Sequence, residues 1–208
     1  MGFSGGQRGA ESGILRGRLV SPAHPLPRYA ANAVRIIGGR CRGRTIRFPA
    51  AAELRPTPDR VRETLFNWLG QDLTGYSTLE PYAGSGALSL EALSRGAATA
   101  TAIDRDPKLV AALAANARLL GLGAGLAALR GDARILLARD TRLYDVVFCD
   151  PPFADQPWDW LLPACARLLA PGGAVYAEAA HAIAPAAGLS LAREGRAGQV
   201  VYHLFRSG

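Results

Sequence analysis

From Tyr76 onward the sequence alternates short apolar runs with stretches of helical period, and few folds accept that rhythm. STLEPYA, ATATAID, LAALRGD, YDVVFCD and AVYAEAA read as strands. Between them ALSLEALSRG, PKLVAALAANARLLG, ARILLARD and WDWLLPACARLLAPGG carry apolar residues at helical spacing. This pattern predicts an α/β fold, a doubly wound and mostly parallel sheet with helices on both faces. LSLAREG and QVVYHLFR follow with no helix between them, so an antiparallel pair completes seven strands at one edge. Open sheets of this kind bind ligands beyond the carboxyl ends of their strands, which makes the residues after each strand the candidate site.

The chain divides into three. Residues 1–33 mix Gly, Ser, Pro and Arg without an apolar period and are expected to form a disordered extension. Residues 34–77 form an N-terminal module: VRIIGG and TIRF read as strands of a small hairpin whose loop carries Arg40, Arg42 and Arg44, with Arg47 on the second strand. A helix follows in RPTPDRVRETLFNWLG, with Thr57 as its expected N-cap and Gly70 at its end, and with Arg60 and Arg62 in its first turns. Residues 78–208 are expected to form the sheet domain that carries the candidate site.

Charge is distributed unevenly over these parts. Residues 1–63 hold twelve arginines against four acidic residues, whereas the other 145 residues carry a net charge of −1. A basic end built wholly from Arg suits phosphate recognition, because the guanidinium fork matches phosphate oxygens; a solvated Arg-rich tail is the simpler alternative. The three cysteines have no CxxC spacing, which argues against a disulfide framework or a zinc site and leaves Cys149 and Cys165 as buried apolar residues. No signal peptide and no apolar run of membrane-spanning length is present, so a cytoplasmic location is expected.

Four strand ends carry chemistry. The first opens into Glu80-Pro-Tyr-Ala-Gly84-Ser-Gly86, where glycines allow a tight turn ahead of a helix N-terminus. A nicotinamide fingerprint is not met, because its last glycine position is Ser89. The second strand ends at Asp104, twenty residues after Gly84, the spacing of a ribose-binding carboxylate; Asp106 is better placed to cap the next helix. The third ends in Asp132-Ala133, which suits either adenine contacts or an N-cap. The fourth ends in Asp150-Pro151-Pro152-Phe153. Two prolines hold that backbone extended, so the Asp150 carboxylate and the Pro151 carbonyl can serve as paired acceptors for an exocyclic amine while Phe153 stacks on the base.

Together these motifs resemble the class I S-adenosylmethionine-dependent methyltransferases, in particular the bacterial 16S rRNA guanine-N2 methyltransferases of the RsmD type. The resemblance runs from about Arg35 to Arg206, through RIIGGRCRGR, RPTPDRVRETLFNWL, AGSGALSLEALSRGA, DPPF and AGQVVYHLF. It implies S-adenosyl-L-methionine as cofactor, held by Glu80, Tyr82, Gly84, Gly86, Asp104, Arg105, Asp132, Ala133 and Asp150. It implies catalysis at Asp150, Pro151, Pro152 and Phe153, and no metal. It also implies 16S rRNA or the small-subunit particle as partner of a monomer, gripped by Arg40, Arg42, Arg44, Arg47, Arg60 and Arg62. Glu80 departs from the family's usual Asp, a conservative change.

The expected reaction is direct transfer of the sulfonium methyl to guanine N2, driven by positioning and electrostatics. Three alternatives stay open: a DNA adenine-N6 or cytosine-N4 methyltransferase, a nicotinamide dehydrogenase, and a non-catalytic RNA-binding protein. Only about 45 structured residues are left outside the cofactor-binding sheet, little for the target-recognition domain of a DNA enzyme.

Overall fold

A computed structural model describes residues 31–49 and 57–208, besides Met1. Most of the stretch expected to be an extension lies outside the described residues, as does Arg55. Its last part does not, because β1 (Ala31–Arg35) begins three residues before Val34 and pairs antiparallel with β2 (Thr45–Pro49). A short 3-10 turn over Gly39–Cys41 sits between the two strands.

Helix α1 (Asp59–Leu69) starts one residue later than expected, with Pro58 rather than Thr57 at its N-cap. The Thr57 hydroxyl is engaged elsewhere, donating to Glu178 Oε1 at 2.9 Å. Gly70 ends the helix at φ 98, a conformation open to glycine.

The remaining chain runs β3 (Ser77–Glu80), α2 (Ala87–Ser94), β4 (Thr99–Asp104), α3 (Pro107–Leu119), β5 (Leu126–Arg130), α4 (Ala133–Arg139), β6 (Tyr144–Cys149), α5 (Trp158–Arg167), β7 (Leu169–Ala179), β8 (Leu189–Ala197) and β9 (Val200–Ser207). The last seven strands form one sheet in the order β5-β4-β3-β6-β7-β9-β8, parallel from β5 to β7 and antiparallel at β9 and β8. Helix α5 stops at Arg167 instead of running on to Gly173, because Leu169 already pairs with Tyr144 before a bulge resets the register. Strand order reverses between β3 and β6, so the crevice beyond their carboxyl ends is the topological switch point where such sheets bind ligands.

Alternation along each strand splits the core in two. Val146, Phe148, Ala174 and Tyr176 face α1, α2, α3 and the hairpin; Val147, Cys149, Val175 and Ala177 face α4 and α5. Cys149 and Cys165 are fully buried in the second layer, as the sequence suggested.

The hairpin and α1 join the first layer through buried charge. Glu91 of α2 is fully buried, with Oε1 taking Arg95 Nε at 2.9 Å and Oε2 taking Arg62 Nη1 at 3.3 Å and the Ile37 amide at 2.8 Å. Arg62 also donates to the carbonyls of Thr57 and Arg35 and to Asp59. Thus Arg62, expected to grip RNA, is fully buried and spends its donors inside the fold. Removing one member of such a network leaves a buried charge unpaired, a loss of about 3–5 kcal/mol. Arg62→Ala is expected to lose that much in urea unfolding, while the exposed Arg60→Ala stays within about 0.5 kcal/mol of the parent.

Candidate active site

The β3–α2 turn meets the end of β4. Asp104 accepts the Gly84 amide on Oδ2 and the Asp106 amide on Oδ1, both at 2.8 Å, so the carboxylate fixes the turn. Each oxygen keeps a further lone pair, and the side chain is half-exposed. Gly86 stands at the N-cap of α2 with φ 72, and a Cβ there would lie 2.2 Å from Leu113 Cδ1. Glycine at this position therefore permits close packing of the turn on α3, beyond any approach to a ligand.

Asp132 accepts the Ile135 amide at 3.2 Å, capping α4, and meets Arg105 at 2.5 Å across the ends of β4 and β5. Asp132 thus takes the N-cap role, and it does so at the sheet's carboxyl edge. Ala133 opens α4 and leaves a first-turn amide without an intrahelical acceptor. Tyr82 is half-buried against the second core layer. A nucleoside with a ribose diol and an adenine fits this row, since Asp104 offers acceptors for hydroxyls and the Asp132–Ala133 corner offers an acceptor and an amide.

Three carboxylates line the centre, one each at the ends of β3, β6 and β7: Glu80, Asp150 and Glu178. Alternation places all three on the side of the sheet that faces α1 and α2. Glu80 is buried, its Oε2 bonded to the Ser89 amide at 3.0 Å and to the Ser89 hydroxyl. Burial pushes its pKa up to about 8 despite those bonds. Burial also raises Asp150 well above the ordinary carboxylate range, with the charges of Glu178 and Glu80 adding to the rise and Thr57 partly offsetting it. Glu178 is raised by burial too, against the hydrogen bonds of Tyr176 and Thr57. Phe153 lies beyond Asp150 and is 42% exposed, open to stacking on a planar ligand. Trp158 and Trp160 pack against the second core layer.

The arginines separate. Arg40, Arg42, Arg44, Arg47 and Arg60 are exposed and Arg62 is not. Arg40 and Arg44 reach the carbonyls of Gly121 and Leu119 at the carboxyl end of α3, at 3.5 and 3.4 Å. Because α3 leaves the site end of β4 and spans thirteen residues, these arginines sit about 20 Å from the strand ends, at 1.5 Å per residue. The basic tip and the DPPF corner are therefore at opposite ends of the sheet.

Sequence reasoning missed Thr57 and Glu178. Glu178 was findable as a lone acid at the apolar strand end of AVYAEAA, the position Glu80 and Asp150 hold in their strands. Among the described residues no cluster of His, Cys, Asp or Glu could hold a metal, and no helix is long and apolar enough to cross a membrane.

A carboxylate raised on folding favours the native state only while protonated. Glu80 thus contributes fully below its ordinary value of 4.5, and that contribution fades as pH rises through about 8. The urea midpoint of the ligand-free protein is expected to fall between pH 5 and 9, and Glu80→Gln to flatten that fall; an unchanged slope would contradict the assignment.

The family model described as "Conserved hypothetical protein 95" matches residues 34–206. Ribosomal RNA small subunit methyltransferase D of Escherichia coli K12 is 41% identical over 182 residues, covering 83% of this chain and 89% of that protein. The solved structure of the Escherichia coli protein yhhF superposes with a TM-score of 0.76 at 39% identity, over 85% of this chain and 98% of that one. An RNA methyltransferase from Salinibacter ruber, solved with S-adenosyl-L-homocysteine, shares the fold at 21% identity and a TM-score of 0.56, over 74% of this chain and 94% of that one. With a family-model match over residues 34–206 and a relative 41% identical over most of both chains, the chain belongs to the RsmD family of methyltransferases.

Proposed function

We propose that the chain methylates the exocyclic N2 of a guanine in small-subunit ribosomal RNA, as free 16S rRNA or within the ribosomal particle. That it is an S-adenosylmethionine-dependent rRNA methyltransferase follows from its family. The observation that carries the guanine amine is the DPPF corner at the switch point, with Asp150 beside a rigid Pro151 carbonyl and an exposed Phe153 ring.

Bound at the Asp104 and Asp132 end, S-adenosylmethionine supplies an electrophilic methyl that an amine nitrogen can take directly. Asp150 accepts one N–H of the base amine and the Pro151 carbonyl the other, which orients the nitrogen lone pair. As the N–C bond forms, the nitrogen sheds a proton, and Asp150 is placed to receive it. Its proton affinity, raised by burial, suits that task. The acceptor oxygens gathered by Glu80, Asp150 and Glu178 also suit a cationic donor beside them. The base must be swung out of any stack to reach this corner, and Phe153 offers it a new stacking partner.

Transfer of labelled methyl to 16S rRNA, small-subunit particles and DNA tests the assignment: label is expected in RNA, and label confined to DNA would overturn it. Asp150→Ala is expected to lose at least about a hundredfold in turnover, the scale of a general acid–base contribution. Cofactor affinity by calorimetry should fall far less than turnover, whereas equal loss of both would make Asp150 structural.

Arg40, Arg42, Arg44, Arg47 and Arg60 are the phosphate contacts in this reading. The alternative for Arg40 and Arg44 is electrostatic support of the carboxyl end of α3. The triple change of Arg40, Arg42 and Arg44 to Ala is expected to weaken RNA binding. It should also flatten the salt dependence by about one log–log unit per lost phosphate contact. Loss of thermal stability with unchanged RNA affinity would favour the helix role.

A further inference from the structure

Guanine differs from the other amine-bearing bases on the edge that carries its amine. Its N2 amine stands beside N1–H, so three N–H donors point outward together, whereas adenine and cytosine set a bare ring nitrogen beside theirs. Asp150 and the Pro151 carbonyl account for the amine, which all three bases share. Selecting guanine requires a further acceptor next to them.

Glu178 stands where that acceptor is needed. β6 and β7 pair in parallel with Cys149 opposite Ala177. The next residues, Asp150 and Glu178, are therefore level on neighbouring strands, about 4.8 Å apart by backbone spacing. Alternation turns both side chains to the same face of the sheet. Glu178 is 4% exposed, and its Oε1 takes two hydroxyls, Thr57 Oγ1 and Tyr176 OH, each at 2.9 Å. Oε2 takes no donor among the described residues. It is not sealed off either, since His203 Nδ1 is the one fully buried side-chain polar atom without a partner there. An acceptor left unpartnered yet reachable in so buried a residue is open to a substrate donor.

We propose that Glu178 selects the base: its Oε2 accepts N1–H of the target guanine while Asp150 and the Pro151 carbonyl hold the N2 amine. The proposal rests on the guanine-N2 reading. Against adenine or cytosine the same oxygen would face a lone pair, acceptor against acceptor, and the base would be rejected. Thr57 and Tyr176 are positioning residues in this scheme, because their hydroxyls fix the carboxylate without touching the base.

Glu178→Gln keeps an oxygen for the two hydroxyls and turns the open position into an N–H donor. An acceptor RNA with 2-aminopurine in place of the target guanine keeps the amine but presents N1 as a bare acceptor. Comparing kcat/KM on both RNAs, the parent is expected to prefer guanine by about 10- to 100-fold, the scale of one matched base-edge contact. Glu178→Gln should shrink or invert that preference by at least tenfold. A purely structural Glu178 would lower both rates alike and leave the ratio unchanged, which overturns the proposal. Should Glu178→Gln fail to fold, Thr57→Val, which frees the carboxylate from one clamp, is expected to narrow the same ratio, and an unchanged ratio again overturns it. If the parent instead methylates an adenine or cytosine, the guanine reading falls and the selector falls with it, an outcome distinct from an active enzyme with an unmoved ratio.

Discussion

Glu91, a carboxylate buried in the middle of α2, is the point on which the arrangement turns. It joins Arg62 of α1, Arg95 of its own helix and the Ile37 amide of the hairpin in one place. Arg62 in turn bonds the Thr57 carbonyl, and the Thr57 hydroxyl bonds Glu178 at the end of β7. The N-terminal module is thereby sewn into the seven-stranded sheet, and Thr57 reaches the strand-end carboxylates from it. A buried ion network is weak evidence of stability in itself; here its hydrogen bonds fix which backbone atoms meet, and so where Thr57 stands.

Three acceptors at the switch point are the other consequence of sheet geometry. Parallel neighbours in register, with side chains alternating between faces, deliver Glu80, Asp150 and Glu178 to the same side of adjacent strand ends. Burial then raises their proton affinity, and Asp150, which lies between the other two, feels both of their charges. The site is rich in acceptors where a cationic methyl donor and a base edge bearing N–H groups would meet, and poor in donors. That imbalance suits amine methylation and gives hydride transfer nothing to use.

Much of this was legible in the sequence because period and position are local properties. The alternation after Tyr76 yields the sheet and its antiparallel edge, and the strand-end rule picks out Gly84, Asp104, Asp132 and Asp150. What depended on packing was not legible. Arg62 reads as a solvated cation until one notes that it shares a helical face with Leu65, Phe66 and Leu69, all buried. Glu91 reads as a solvated acid in ALSLEALS, yet every residue of α2 is buried. The hairpin was expected, but the end of the sheet to which its arginines point is set by contacts with α3 far away in sequence. Thr57 looked like a helix cap because its better partner, Glu178, lies 121 residues further on.

Asp150, the Pro151 carbonyl and Glu178 are proposed to receive the amine edge of guanine. Nucleoside analysis of RNA methylated by the purified protein tests this most directly. N2-methylguanosine as the single new nucleoside is the expected result; N6-methyladenosine or N4-methylcytidine in its place would contradict the account.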